Sequence, residues 1–310
     1  MPMTQRKKIS TQGDQTLIHN GTNKFPGFRG TSFREVARVF IGGIRKGSVT
    51  TRASSIAFLV FLASLPSIIF FFSLIPFLPV QNFKYELLDI IRMLLPSNAS
   101  ESITKNIDII LVKRKGIPIM GFAIAMYFAT NAMMGVIDAF NSTIHAIETR
   151  KIIEKIRVAV VLVFIMILLI VVSVTLVVLE KIFTMKLVSA GILHFSLFKD
   201  LLILTRWTII AALIFCGISS IYYLGPAKRN HWKFVSPGSW VATLLTLLAS
   251  FGFSFFVNNY APFNKIYGSI GTIMAILIWM NFNSIALLLG FELNASISHA
   301  SPKKGNEDLL

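Results

Sequence analysis

Six apolar runs, each close to the length of a membrane-spanning helix, constrain this chain more than any other feature. They fall at about 53–78, 117–140, 157–179, 206–224, 235–257 and 269–292. A hydrocarbon core about 30 Å thick is crossed by about 20 helical residues. Composition agrees: only 14% of the 310 residues are charged and 54% are hydrophobic, against about 25% charged in soluble domains. The expectation is an all-α polytopic membrane protein with six transmembrane helices and amphipathic interfacial helices. The second run is the least apolar, since it holds Asn131 and Asp138. The first contains Pro66, which frees a backbone carbonyl and is tolerable in a span only where other groups re-satisfy the backbone.

The formal net charge is +16. On a soluble chain that would point to nucleic acid. Here Lys and Arg gather in the segments flanking the spans, where they set topology and meet anionic lipid head groups. Six spans put both termini on one side. That side carries 19 of the 30 Lys and Arg and the opposite loops carry 11, so the termini are expected in the cytoplasm and the chain in the inner (plasma) membrane. The basic VKRKG at 112–116 runs against this bias. Residues 1–30 read as a flexible cytoplasmic tail, 31–298 as the membrane domain and 299–310 as a short cytoplasmic tail.

Within SFREVARVFIGGIRKG (32–47), Phe33, Val36, Phe40 and Ile44 share one helical face, which predicts an interfacial amphipathic helix. QNFKYELLDIIRMLL (81–95) repeats apolar residues at helical spacing, and ITKNIDIILVK and IFTMKLVSAGILHFSLF do so more weakly. Short helices on the outer leaflet or capping the bundle are expected there.

Chemistry-bearing residues are few. The single cysteine, Cys216, lies in an apolar run and the five histidines are not closely paired, so no metal and no cofactor is expected. GGIRKGS (42–48) fails the phosphate-loop spacing, and GxSxG, HExxH and CxxC are absent. The polar residues of the last run are more telling. Asn281 and Glu292 are eleven positions apart, so they fall within about 20° of each other on a helix, with Ile285 and Leu288 between them. Asn283, Ala286, Gly290 and Asn294 form a second stripe on the opposite side. Small residues permit close helix approach and amides bond across it. This helix is therefore expected to meet protein or water on two sides. In the second run Asn131, Asp138, Asn141 and His145 share a face.

Asp138 and Glu292 are the carboxylates singled out in or at the ends of spans. An acid at the bilayer centre costs about 2.5–3.5 kcal/mol on insertion scales. Two readings stand: a proton or substrate path, or acids near the cytoplasmic end that cap, or pair with Arg150, Arg157 or Lys233. The candidate polar-path or helix-seam residues are Asn131, Asp138, Asn141, Tyr267, Asn281, Asn283, Gly290 and Glu292.

Four pieces in order resemble the BrkB/YihY-type inner-membrane proteins, once named ribonuclease BN. They are SIAFLVFLASLPSIIFF; AFNSTIHAIETR, with Asn141, Glu148 and Arg150; YYLGPAKRNHWKFVSPGSWVATLL; and FVNNYAPFNKIYGSIGTIMAILIWMNFNSIALLLGFELNA, with Tyr267-Gly268, Trp279 and the run from Gly290 to Ala295. The resemblance covers about 32–298. Ser142, His145 and Phe263 depart from its pattern, where a basic residue, an aromatic and Tyr are frequent. It implies six helices, cytoplasmic termini and a link to envelope integrity, with suggested transport of lipid or lipopolysaccharide precursor.

Three functions compete. The first is transport or organisation of an envelope lipid or other amphiphile, which fits the Phe-rich spans and amphipathic outer segments. The second is a small-solute or proton-coupled secondary transporter, which fits Asp138 and Glu292. The third is a ribonuclease, which needs clustered metal ligands that the sequence does not offer. The reading adopted is a non-enzyme whose partners are membrane lipids and an unknown substrate, with no nucleic acid and with room for a homo-oligomer.

Overall fold

The computed structural model describes residues 33–74, 117–143, 150–189, 195–227, 233–260 and 269–300. These residues form seven helices and no strand: α1 (Phe33–Lys46), α2 (Val49–Leu74), α3 (Ile117–Asn141), α4 (Ile152–Ser189), α5 (Phe195–Leu224), α6 (Pro237–Tyr260) and α7 (Ser269–Ala300). Six are long and apolar enough to cross a membrane, at Val49–Phe71, Ile119–Asn141, Ile152–Leu176, Leu204–Leu224, Pro237–Val257 and Ile270–Ala300.

Local chemistry accounts for the less regular points. Ser48, between α1 and α2, has φ 48°, the left-handed region that costs a side chain about 1–2 kcal/mol. The Gly47 N–H donates to the Gly43 carbonyl and closes α1. Pro66 lies inside α2 and leaves the Leu62 carbonyl without its helical donor, while the hydroxyls of Ser64 and Ser67 donate to the neighbouring Phe61 and Ala63 carbonyls at 2.7 Å. Pro237 opens α6, where its missing N–H costs nothing.

From α2 to α7 each helix packs on the next, and α7 closes back on α2, with α1 lying along α7. In a bilayer, helices associate through close packing rather than hydrophobic exclusion, so small residues mark the contacts. Ala53, Ala57, Ala139, Ala242, Ala286 and Ala295 are all buried. The core sits at the α1 end. There Phe140 of α3 stacks on Phe291 of α7, with centroids 4.0 Å apart and planes 4° from parallel. Tyr222 of α5 stands edge-on to both rings.

The opposite half carries more exposed side chains among the described residues. Residues 284–297 of α7 are buried or half-buried on every face, whereas Thr272, Ile273, Met274, Ile276, Ile278 and Trp279 are exposed on positions that run right round the same helix. In α6, Ser254, Phe255 and Phe256 are likewise exposed in succession.

Residues 182–198 do not form a separate surface helix. Residues 182–189 end α4 and residues 195–198 begin α5. Once a helix is nucleated each further residue adds a hydrogen bond, and no glycine or proline interrupts α4 after Lys181. With 38 residues, α4 is about 57 Å long and outreaches the hydrocarbon core. Residues 81–95 and 103–113 lie outside the described residues.

Candidate functional site

The polar residues of α7 divide between its two neighbours. On one face Asn281 Nδ2 donates to Ser54 Oγ of α2 at 2.9 Å. Three turns on, Glu292 Oε1 accepts from Arg52 Nη2 of α2 at 2.6 Å and from Thr143 Oγ1, just past α3, at 3.2 Å. Arg52 Nη1 also donates to the Ala139 carbonyl at 2.7 Å and to Thr143 Oγ1 at 2.9 Å. The Glu292 side chain is 0% exposed and that of Arg52 10%. The pair thus ties α2, the end of α3 and α7 at the level of the α1–α2 turn. A Cβ on Gly47 would lie 2.9 Å from Arg52 Nη2 and 3.5 Å from Glu292 Oε1. Glu292 Oε2 and Arg52 Nε are buried without a hydrogen-bond partner among the described residues.

The other face of α7 meets α6. Asn294 Oδ1 accepts from the Gly238 N–H at 2.8 Å, while Asn294 Nδ2 donates to Ser236 Oγ at 2.8 Å. Ser236 caps α6 by accepting from the Ser239 N–H at 3.2 Å. One side chain of α7 therefore satisfies a free donor in the first turn of α6. Gly290 faces Gly238 at the crossing: a Cβ on Gly290 would lie 2.5 Å from the Gly238 carbonyl and 2.6 Å from Ala242 Cβ. The Tyr222 hydroxyl donates to the Leu287 carbonyl and fastens α5 to the same turn. Further along, Ser250 Oγ donates to Asn283 Oδ1 at 3.4 Å and accepts from Trp279 Nε1 at 3.1 Å.

A gap lies beside that polar contact of α6 and α7. Between them lies a cavity of about 300 Å³ whose lining includes Phe253, Val257, Ala275, Ile276 and Trp279, with Ser250, Ser254 and Thr272 adding hydroxyls.

A family model described as virulence factor BrkB matches residues 40–309. The chain belongs to the BrkB family. This BrkB-family chain is 27% identical over 261 residues to a protein of Bacillus subtilis (strain 168) named as ribonuclease-like, YfkH, covering 83% of this chain and 93% of that one. It is 26% identical over 98 residues to a UPF0761 membrane protein of Vibrio cholerae serotype O1 (strain ATCC 39541), a match spanning 32% of this chain and 33% of that protein. It is also 34% identical over 82 residues to the UPF0761 membrane protein PSHAa0171 of Pseudoalteromonas translucida, spanning 26% and 27%. No solved structure matches.

The BrkB-family chain does not bring Asp138 and Glu292 together. Asp138 is 58% exposed and takes Lys155 Nζ of α4 at 2.9 Å on each oxygen. Neither acid pairs with the cations expected from the sequence. Arg150 donates to the Pro226 carbonyl at 2.7 Å, and Arg157 and Lys233 are exposed. The reason is where the helices begin. α2 starts at Val49 and α4 at Ile152, so Arg52 and Lys155 belong to first turns rather than to loops. Arg52 shares a face with Val49, Ala53 and Ile56 of the core, and that adjacency to an apolar face is the signal that could have found it. Asn131 and Asn141 are half-buried on α3. Tyr267 lies outside the described residues. Among the described residues no three His, Cys, Asp or Glu side chains gather as metal ligands would.

Proposed function

We propose that this chain is a multi-pass protein of the inner membrane, with both termini cytoplasmic, that takes an envelope lipid or similar amphiphile into the more exposed half of its bundle. The observation that carries the reading is the change along α7, from buried or half-buried on every face at 284–297 to mostly exposed at 272–279. A bundle buried at one end and more exposed at the other gives a molecule with acyl chains an apolar wall. The cavity between α6 and α7 is mainly apolar, with Ser250, Ser254, Thr272 and Trp279 in its lining. The excess of Lys and Arg on the α1 side supports placing the buried end in the cytoplasm. That would turn the more exposed half to the outer leaflet. The ribonuclease-like name belongs to that relative, and the reading proposed for this chain rests on the bundle and its cavity instead.

The test is lipid retention. Protein purified in mild detergent, stripped by repeated exchange, is weighed by native mass spectrometry. The wild type is expected to keep one or two lipid-sized adducts. Ala275→Phe, which fills the cavity, should lose them, while Ile273→Phe, exposed beside the cavity, should keep them. Equal retention in all three, or none in the wild type, overturns the proposal.

A further inference from the structure

We propose that the outward face of α1 is a binding site for the phosphate head groups of anionic phospholipids, in the leaflet on its side of the membrane. The site is separate from the cavity between α6 and α7 and stands whatever that cavity holds.

The sequence of α1 is amphipathic, but its apolar face is already taken. Val36 is buried, Ile44 packs against the core that includes Leu288 and Phe291 of α7, and Gly43 and Gly47 on the same side are buried too. An interfacial helix ordinarily lays such a face into the acyl chains. Here α7 fills that place, and a different face turns outward. At about 100° per residue, Arg34, Arg38, Ile41 and Arg45 fall within about 60° of one another, opposite Val36, Gly43 and Gly47. All four are exposed, Ile41 to 52%. The stripe they form is about 16 Å long. Glu35, also exposed, lies a quarter turn to one side.

The arginines of the stripe are uncommitted. None of the three makes an ion pair or hydrogen bond among the described residues, whereas Arg52, Lys155 and Arg206 each hold a carboxylate. Nor do the described residues cover the face: a Cβ on Gly42, at the edge of the stripe, would meet nothing within 4 Å. The stripe also begins at membrane level, because the first span opens at Val49 and Arg45 lies about one turn before it. Guanidinium groups bond phosphate oxygens in pairs, and basic residues beside a span gather anionic lipid. Ile41 favours lipid over a water-borne polyanion. An aliphatic side chain among arginines gains from the glycerol and acyl groups beneath a phosphate, and gains nothing from a sugar-phosphate chain. The start of α4 shows the same mixture where a span enters the membrane. Lys151 and Arg157 are exposed there, together with Ile152 at 71% and Ile153 at 72%. That start lies on the α1 side, since Lys155 reaches Asp138 near the end of α3 and Thr143 just beyond α3 bonds Arg52.

Fluorescence quenching by lipid on the full chain in vesicles tests this, in a Cys216→Ser background. A fluorophore at Ile41→Cys reports the stripe, and one at Ile119→Cys, 74% exposed at the start of α3, reports the opposite side of the membrane. The vesicles hold phosphatidylcholine and phosphatidylglycerol in equal parts, with a spin-label quencher on one lipid or the other. A single basic residue at an anionic surface is worth about fivefold in affinity, so phosphatidylglycerol should be preferred at least about fivefold at position 41. No preference is expected at position 119. Changing Arg34→Gln, Arg38→Gln and Arg45→Gln together should bring position 41 to parity. No preference at 41, an equal preference at 119, or a preference that survives the three glutamines overturns the site. If the triple variant does not fold, Arg38→Gln alone is read in the same way and should lose at least about half of the preference. If that variant does not fold either, the arginines are structural and the proposal fails. Arginine-dependent binding of a short RNA oligonucleotide, with no lipid preference at 41, would assign the face to nucleic acid and equally overturn it.

Discussion

Replacing Gly290 by alanine adds one methyl group at the close crossing of α6 and α7. That carbon would lie 2.5 Å from the Gly238 carbonyl oxygen, 2.5 Å from the Tyr222 hydroxyl and 2.6 Å from Ala242 Cβ. None of the three is the free end of a flexible chain. Two belong to α6, and the tyrosine is held by its bond to Leu287 and by Phe140 and Phe291. Relief therefore requires α6 and α7 to separate, which also loosens the Asn294 bonds to Ser236 and Gly238. Overpacking costs about 1–3 kcal/mol, and a backbone contact belongs at the top of that range. Alanine regains up to about 1 kcal/mol in helix propensity. The net loss is about 2 kcal/mol, or roughly 4–8 °C in Tm on the scale of chains of 150–250 residues. The assay is thermal unfolding in detergent against two controls. A Cβ on Gly252 meets nothing within 4 Å, and one on Gly217 makes only ordinary contacts at 3.6 Å. Gly252→Ala and Gly217→Ala should be neutral or slightly stabilising. If Gly290→Ala unfolds at the same temperature as Gly252→Ala, the crossing is not the seam described.

Asn294→Ala should cost about 1–3 kcal/mol, because it leaves the buried Gly238 N–H in the first turn of α6 without its acceptor; chemical denaturation in mixed micelles would show it. Asp138→Asn should change stability by no more than about 1 kcal/mol, since its pair with Lys155 is exposed; a larger loss of Tm would mean that α3 and α4 depend on it. Purified protein should not cleave RNA. Turnover that survives purification and disappears in Asp138→Asn or Glu292→Gln would show that these acids do chemistry.

Apolar run length carried most of the fold, because the bilayer thickness it must match is fixed. The same criterion misplaced the ends. A span is bounded in sequence where apolarity stops, but the α2 and α4 helices continue into polar first turns at Val49 and Ile152. Arg52 was thereby counted as loop charge, and the partner of Glu292 was lost with it. The two stripes of the last run were visible because polar residues there are sparse enough to give a phase. One faces α2 and the other α6. The Phe140–Tyr222–Phe291 cluster left no such trace. Aromatics occur on lipid-facing and inward positions alike in these spans, so their identity does not report direction.

The buried pair also allows its own contribution to stability to be measured. Removing a single partner leaves the other charge buried alone, so Glu292→Leu by itself should cost about 3–5 kcal/mol. Replacing both by apolar residues removes that charge. Arg52→Met with Glu292→Leu should be neutral or more stable than wild type, by up to about 4 kcal/mol where the side chains pack. Thr143 must be changed with them, to valine, because its hydroxyl bonds both groups and would otherwise be stranded. The triple variant should then unfold at or above the wild-type temperature in thermal unfolding in detergent. Loss of stability in the triple variant equal to that of Glu292→Leu would show that the pair is a net brace.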